Sequence, residues 1–164
     1  MTIETRDATP TDEPFLWHML VFAASMDGSE RDIAAAKTDP TLCGYVDGFG
    51  RPGDLGIIAI RGNAPQGAVW SRLLAGEPHP SKVWTHDVPE LAIATLPSAR
   101  GQNVGTVLLR AFLEVASTRF DAVMLSVRVE NPAVRLYERH GFVTERRVVN
   151  RVGGISLVMR RDLR

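Results

Sequence analysis

The sequence predicts an α/β (α+β) fold, with one mixed β-sheet of about seven strands flanked by helices. Short apolar segments of strand type recur along the whole chain and are separated by turn residues. Between residues 89 and 142 they alternate with helical patterns in the order strand, helix, strand, helix, which is typical of a parallel strand pair. The length of 164 residues and the 45% hydrophobic content fit a single core, so we predict one domain over residues 1–164.

The N-terminal part is predicted to hold one strand and two helices. Residues 3–6 alternate apolar and polar side chains, as an edge strand does. Helix-start signals and a broad apolar face predict a helix from about Pro10 to Ser25. A second helical segment covers residues 29–37, and the glycine-rich residues 41–53 predict a loop.

Two hairpins are predicted, one in the middle of the chain and one at its end. The first joins strands at residues 55–60 and 67–75 through a turn at residues 63–67. The second joins strands at residues 143–152 and 155–159 through Gly153 and Gly154.

The most informative segment lies between the two hairpins. Residues 91–96 read as a buried strand that ends at Pro97, and apolar side chains at helical spacing begin at Val104. A strand that feeds a helix through a glycine turn leaves several backbone N–H groups without partners at one point, which suits an anion. Arg100 adds a positive charge there, and no acidic residue occurs between residues 91 and 113.

One alternative to a phosphate site remains open at this stage. Glycine is the usual residue of an ordinary strand-to-helix turn. The familiar nucleotide-binding motifs G-x-x-x-x-G-K-[ST] and G-x-G-x-x-G are absent from the sequence.

Two motifs in this segment resemble those of the GNAT superfamily of acyl-CoA-dependent N-acyltransferases. Residues 100–105, Arg-Gly-Gln-Asn-Val-Gly, are similar to the family's [QR]-x-x-G-x-[GA] pattern, which binds the pyrophosphate of coenzyme A. Asn103 stands where the family usually has its first glycine, and asparagine is the residue that best tolerates a positive φ after glycine. Residues 131–142 are similar to the family's N-x-x-A-x-x-x-Y-x-x-x-G-F segment.

The resemblance implies an N-acetyltransferase that moves an acetyl group from acetyl-CoA directly to a primary amine, without a metal. It implies a splayed central parallel strand pair that admits the pantetheine arm, with an oxyanion donor among the backbone N–H groups of residues 94–96. The first two helices and their loop are expected to form one wall of the acceptor pocket. The cofactor-binding residues that it implies are Ala94, Thr95, Leu96, Arg100, Gly101, Gln102, Asn103, Val104, Gly105, Thr106 and Asn131.

Tyr137 and Glu90 are the candidate catalytic residues. A phenol with a reference pKa of about 10 is protonated at neutral pH and can serve as the acid for the leaving thiolate. Glu90 lies where many family members place a general base. Because side chains alternate along a strand, however, Glu90 is expected on the same face as Ala92 and not on that of Ile93, unless a bulge shifts the register. His79 and His86 are alternative bases. Each of these four residues also has a plain structural explanation, as packed core or as solvated surface.

Asn131 also has a second interpretation, since asparagine before proline is a common helix start. Cys43 is the only cysteine, which excludes an intrachain disulfide and gives no Cys/His metal spacing.

Charge and composition limit which binding partners and which cellular location the sequence predicts. The formal net charge is zero, so total charge does not steer the chain to nucleic acid or membrane. Residues 128–164 nevertheless carry nine arginines and four acidic residues, which suits an anionic cofactor or a solvated surface. No leader pattern or membrane-length apolar stretch occurs, so we expect a cytoplasmic protein.

Three functional classes follow from these observations. The first is the acetyltransferase, with a small-molecule or peptide amine acceptor and, by resemblance, a homodimer through the C-terminal strands. The second is a non-catalytic acyl-CoA-binding module, which would keep residues 100–106 and lack a working acid and base. The third is a structural α/β domain whose glycine turn binds nothing.

Overall fold

The computed structural model describes residues 2–73 and 88–164. Seven strands and four α-helices occur in the described part of the chain. They are β1 (Ile3–Asp7), α1 (Glu13–Ala23), α2 (Glu30–Thr38), β2 (Leu55–Arg61), β3 (Ala64–Arg72), β4 (Glu90–Thr95), α3 (Val104–Ala116), β5 (Ala122–Arg128), α4 (Ala133–Arg139), β6 (Val143–Val149) and β7 (Ile155–Asp162).

The strands form one mixed sheet in the order β1-β2-β3-β4-β5-β7-β6. Neighbouring strands are antiparallel except β4 and β5, which are parallel. The predicted seven-stranded mixed sheet and its central parallel pair are therefore confirmed. The parallel pair is short, because Glu90 and Met124 are the one residue pair that joins β4 to β5.

Each face of the sheet carries its own hydrophobic core. On one face, α3 packs its buried side chains, including Leu108 and Phe112, on residues of β2, β4, β5 and β7. On the other face, α1 and α2 cover Ile58, Ala68 and Trp70. Because side chains alternate along a strand, the odd-numbered residues of β4 belong to the first face and the even-numbered residues to the second.

The first helical region differs from its prediction at both ends. Residues Pro10–Asp12 form a 3₁₀ turn, and α1 begins at Glu13. Asp12 accepts bonds from the Thr9 N–H and from both terminal nitrogens of Arg6, which favours this tighter start. The helix ends at Ala23, where the N–H groups of Ser25 and Met26 bond back to Phe22 and Val21 in a Schellman arrangement.

The first hairpin also differs from its prediction, since β3 begins at Ala64 rather than at Gly67. A register shift between Ala59 and Ile60 accommodates Pro65 within the pairing, so the turn-rich residues 63–67 are mostly strand. The predicted end of this strand at Ala75, together with His79 and His86, lies outside the described residues. No helix in the described part of the chain is long and apolar enough to span a bilayer.

Candidate active site

A cavity of about 1010 Å³ passes through the sheet where β4 and β5 separate. At one end it is lined by residues 99–101 and 103–106, which lead into α3, and at the other by residues 22–26, which follow α1. The two strands form its walls through residues 91–95 and 125–128. One ligand can therefore extend from the α3 face of the sheet to the α1 face.

The end of the cavity at α3 has the geometry of an anion cradle. Gly101 and Asn103 both have left-handed backbones, with φ of 75° and 64°. The first helical bond of α3 runs from the Val107 N–H to the Asn103 carbonyl, so the N–H groups of residues 104–106 have no acceptor within the helix. No side chain hydrogen bond caps this helix start, and no acidic residue lies in its first turn. The departure from glycine at position 103 thus preserves the backbone shape that the resemblance requires.

The Gln102 side chain faces away from this cradle. Its amide nitrogen donates to the Ser98 carbonyl at 3.0 Å, and its oxygen accepts from Arg61. Gln102 does not line the cavity, unlike the other members of residues 100–106. The Gln102 side chain therefore holds the loop in position, and only the backbone of this residue is close to the predicted ligand.

The hydrogen bonds of β4 show which N–H groups face the gap. The Leu96 N–H donates to the Gln66 carbonyl at 2.9 Å, on the side of β3. The Met124 N–H donates to the Pro89 carbonyl at 3.0 Å, on the side of β5. Since backbone groups alternate along a strand, the N–H groups of Ile93 and Thr95 point towards β5. Among the predicted oxyanion donors the geometry favours Thr95 over Ala94 and Leu96, and it adds Ile93, which the sequence reasoning missed.

Tyr137 lies in the wall of the cavity, on the second turn of α4. Its ring is 6% exposed and packs edge-on against Phe142, with ring centres 6.0 Å apart. Burial alone raises the pKa of its phenol above the usual range. The phenol is therefore protonated at neutral pH and can donate a hydrogen bond into the cavity.

Asn131 caps the start of α4. Its side chain oxygen accepts the Ala133 N–H at 2.9 Å, which confirms the capping interpretation. Asn131 also lines the cavity, and its polar contact to the pantetheine arm stays a prediction.

Glu90 is buried, with 3% of its surface exposed. The pairing of β3 and β4 continues without a register shift, so Glu90 shares a face with Ala92 and Ala94 and lies on the α1 side of the sheet. There its Oε2 accepts a hydrogen bond from the Tyr45 hydroxyl. Glu90 itself does not line the cavity, but Tyr45 does.

Tyr45 is a second candidate functional residue that sequence reasoning missed, after Ile93. Burial raises its pKa well above the usual value, and the nearby Glu90 carboxylate adds to this effect. Its carbonyl accepts the indole N–H of Trp70 at 2.9 Å. Tyr45 belongs to the glycine-rich segment that reads only as a loop, and nothing in that segment shows that its ring reaches β4.

A buried arginine holds the loop that carries Tyr45. Arg72 is 1% exposed, and it pairs with Asp54 at 3.1 Å while donating to the carbonyls of Gly44 and Asp47. This loop therefore has a fixed position against the sheet. Among the described residues, no group of three or more His, Cys, Asp or Glu side chains could hold a metal ion.

A comparison of the sequence with protein-family models identifies the family. The model of the acetyltransferase (GNAT) family matches residues 3–142. The chain belongs to this family. The match extends from β1 to the residue that precedes β6, so it includes both motifs and the whole cavity wall on β4, α3, β5 and α4.

Solved structures of GNAT proteins share the fold. The aminoglycoside acetyltransferase AAC(6')-Ib in complex with coenzyme A has a TM-score of 0.66 at 19% identity, over 98% of this chain and 95% of that one. The ribosomal-protein-S18-alanine N-acetyltransferase from Escherichia coli has 0.68 at 18%, over 99% and 94%. A spermidine N-acetyltransferase SpeG chimera from Vibrio cholerae and hSSAT also has 0.68 at 18%, over 99% and 96%. None of the curated proteins matches this chain significantly in sequence.

Proposed function

We propose that this GNAT protein is an N-acetyltransferase that transfers an acetyl group from acetyl-CoA directly to a primary amine. The observation that carries the proposal is the cavity through the sheet. One continuous space joins the unpaired N–H groups at the start of α3, Tyr137 and Tyr45, and the Tyr45 hydroxyl donates to Glu90 behind the cavity lining. The family membership and the coenzyme A complex of AAC(6')-Ib support the choice of cosubstrate.

The cradle at α3 suits the diphosphate of coenzyme A. The N–H groups of residues 104–106 and the positive end of the helix dipole supply the attraction, and Arg100 adds a charge. From there the pantetheine arm would run along the gap, where its amides can pair with the open edge of β4. The thioester of acetyl-CoA would then lie in the gap between β4 and β5, where the cavity passes from one face of the sheet to the other.

Three groups of the chain would serve the chemistry. The N–H groups of Thr95 and Ile93 stabilise the oxyanion that forms when the amine attacks the thioester carbonyl. The amine gives up a proton before or during this attack, because an ammonium has no lone pair. Tyr45 can pass that proton on, accepting it at its oxygen while its own proton moves to Glu90, to which it already donates.

Tyr137 acts at the departing sulfur. Its raised pKa makes complete proton transfer to a thiolate, with a reference pKa of about 8.5, unfavourable. It keeps the phenol protonated, however, so a strong hydrogen bond to the sulfur remains available as the carbon–sulfur bond breaks. We therefore assign Tyr137 the role of a hydrogen-bond donor that stabilises the leaving group, and the proton reaches the thiolate from solvent.

Two assays test this function. Coenzyme A and acetyl-CoA should both raise the melting temperature, and ATP should not. A panel of primary amines should then release free coenzyme A thiol from acetyl-CoA. Stabilisation without thiol release would favour the non-catalytic acyl-CoA-binding module, and no stabilisation by either thioester or thiol would leave only a structural domain.

We also propose a homodimer through the C-terminal strands. β6 forms an edge of the sheet in the described structure, and Val143 and Val149 on it are exposed. Light scattering coupled to size-exclusion chromatography measures the mass directly, and a monomer at micromolar concentration would contradict the proposal.

A further inference from the structure

We propose that the amine acceptor carries a carboxylate close to its amine, as an amino acid does, and that Arg128 and Arg151 bind it. This inference rests on the proposed acetyltransferase function and names its substrate class. The two arginines line the cavity on the α1 side of the sheet, the side on which Tyr45 and Glu90 lie.

The two guanidinium groups converge on one point. One terminal nitrogen of each lies 3.3 Å from the carbonyl oxygen of Ala24, the residue that caps the end of α1. The two nitrogens are therefore no farther apart than twice that distance. A carboxylate has two oxygens and accepts from guanidinium groups in this range, either bidentately from one or by bridging both.

Strand pairing and a hydrogen-bonded turn fix the backbone positions of both arginines. Arg128 is the last residue of β5 and pairs with Ser156 of β7. Arg151 lies in the β6–β7 turn, where the Asn150 side chain accepts the N–H groups of Val152 and Gly154. The sheet and a hydrogen-bonded turn thus place the two backbones, and both side chains reach the Ala24 carbonyl, Arg128 from a half-buried position and Arg151 from an exposed one.

The charges at this end of the cavity are not balanced. A helix C-terminus carries a partial charge of roughly −0.5, which offsets a fraction of one arginine. Within the described part of the chain, neither arginine lies within ion-pair distance of a carboxylate. Arg151 lowers the pKa of Asp39 by its charge, as a smaller contribution than the hydrogen bond from Thr41.

Glu130 is the one carboxylate among the described residues that line the cavity. It is exposed, and it lies in the turn before α4, two residues after Arg128. Among the charged side chains that line this part of the cavity, Arg128 and Arg151 thus outnumber Glu130, whereas the Glu90 carboxylate is bonded to Tyr45 and does not line it. Polycationic amines such as spermidine and aminoglycosides would be repelled there, whereas an amine with a carboxylate would be attracted.

Matched amines test the inference. Phenylalanine and phenethylamine differ only in the carboxylate, as do leucine and 3-methylbutylamine. With saturating acetyl-CoA, kcat/KM from thiol release should favour each amino acid over its decarboxylated partner by about tenfold or more, as expected for hydrogen bonds to a charged group. Spermidine should be a poor acceptor. An aspartyl peptide amide, whose carboxylate is on the side chain, distinguishes an acidic peptide N-terminus from a free amino acid.

Variants assign the preference to the two residues. The double variant Arg128→Gln and Arg151→Gln should bring the ratio for each matched pair close to one. The double lysine variant should keep part of the preference, since it keeps the charge but loses the planar fork. Arg119→Gln removes an exposed arginine in the turn that follows α3 and should leave the ratio unchanged. If the arginines only held the loop after α1, both members of a pair would lose activity equally and the ratio would persist, which contradicts the inference.

Failure of the inference is distinguishable from failure of the proposed function. Loss of the thermal shift with coenzyme A would overturn the function itself. A normal shift, with phenethylamine or spermidine acetylated as well as phenylalanine, would overturn only the acceptor class. If no amine of the panel is acetylated, calorimetry with coenzyme A present should show N-acetylphenylalanine binding at least tenfold more tightly than N-phenethylacetamide. Equal affinities would refute the inference.

Discussion

Replacement of Tyr137 by phenylalanine separates catalysis from folding in this protein. The substitution keeps the ring that packs against Phe142 and removes only the hydroxyl. None of the hydrogen bonds between described residues uses this hydroxyl, and burial is the cause of its raised pKa. The free energy of unfolding should therefore change by less than about 0.5 kcal/mol, since no native partner is lost.

The expected loss of turnover follows from the hydrogen bond that forms only as the sulfur departs. Hydrogen bonds to charged groups contribute about 1.5–3 kcal/mol. At about 1.4 kcal/mol for each tenfold change in rate, kcat should fall roughly 10-fold to 150-fold. KM for acetyl-CoA should change little, because the ground-state thioester sulfur is a weak acceptor.

The assay is free thiol release with any amine that supports turnover by the unaltered enzyme, alongside the thermal shift with coenzyme A. Tyr45→Phe is the matched control, since it removes the other phenol of the cavity and leaves the buried Glu90 without that donor. It should lower stability by about 1–3 kcal/mol as well as activity. Unchanged kcat in Tyr137→Phe would remove the hydroxyl from the mechanism.

Three further predictions concern the scaffold. Asn103→Gly should change stability by only a few tenths of a kcal/mol and keep coenzyme A binding, whereas Asn103→Val should cost about 1–2 kcal/mol because φ is 64° there; urea denaturation measures both. Arg72→Met removes the ion-pair partner of the buried Asp54 carboxylate and should lower the free energy of unfolding by about 3–5 kcal/mol in the same assay. An equally stable variant would contradict the role given to this pair. Because the pKa values of Tyr45 and Tyr137 are raised in the folded state, their contribution to stability is complete below the unfolded pKa of about 10 and is lost as pH rises above it. Tyr137→Phe should therefore flatten the decline of the urea midpoint at alkaline pH. Parallel declines in the variant and in the unaltered protein would refute this.

Local sequence patterns predict much of the fold because they report periodicity and turn chemistry directly. The helix α3 begins at Val104 as predicted, and β4 lies within one residue of its predicted position. The bounds fail where specific hydrogen bonds or strand pairing override local propensity. The start of α1 tightens around Asp12, and β3 continues through Pro65 because a bulge absorbs the mismatch.

The candidate site likewise has one part that local sequence patterns predict and one part that depends on how the chain folds. The cradle at α3 and the positions of Tyr137 and Asn131 follow from contiguous motifs, so sequence reasoning reaches them. Tyr45 could not be predicted, because its partner Glu90 is 45 residues away along the chain. The pair of Arg128 and Arg151 is likewise a product of sheet order, and in the sequence both belong to a basic region that suits solvated surface equally well.

The dependence of affinity on the diphosphate tests the central claim most directly. Calorimetric titrations of coenzyme A and of pantetheine, which has the same arm without the diphosphate and nucleotide, should be compared under identical conditions. The N–H groups of residues 104–106 should make coenzyme A bind at least tenfold more tightly, since each hydrogen bond to a charged group adds substantially to affinity. Equal affinities for the two compounds would show that the start of α3 does not hold a diphosphate.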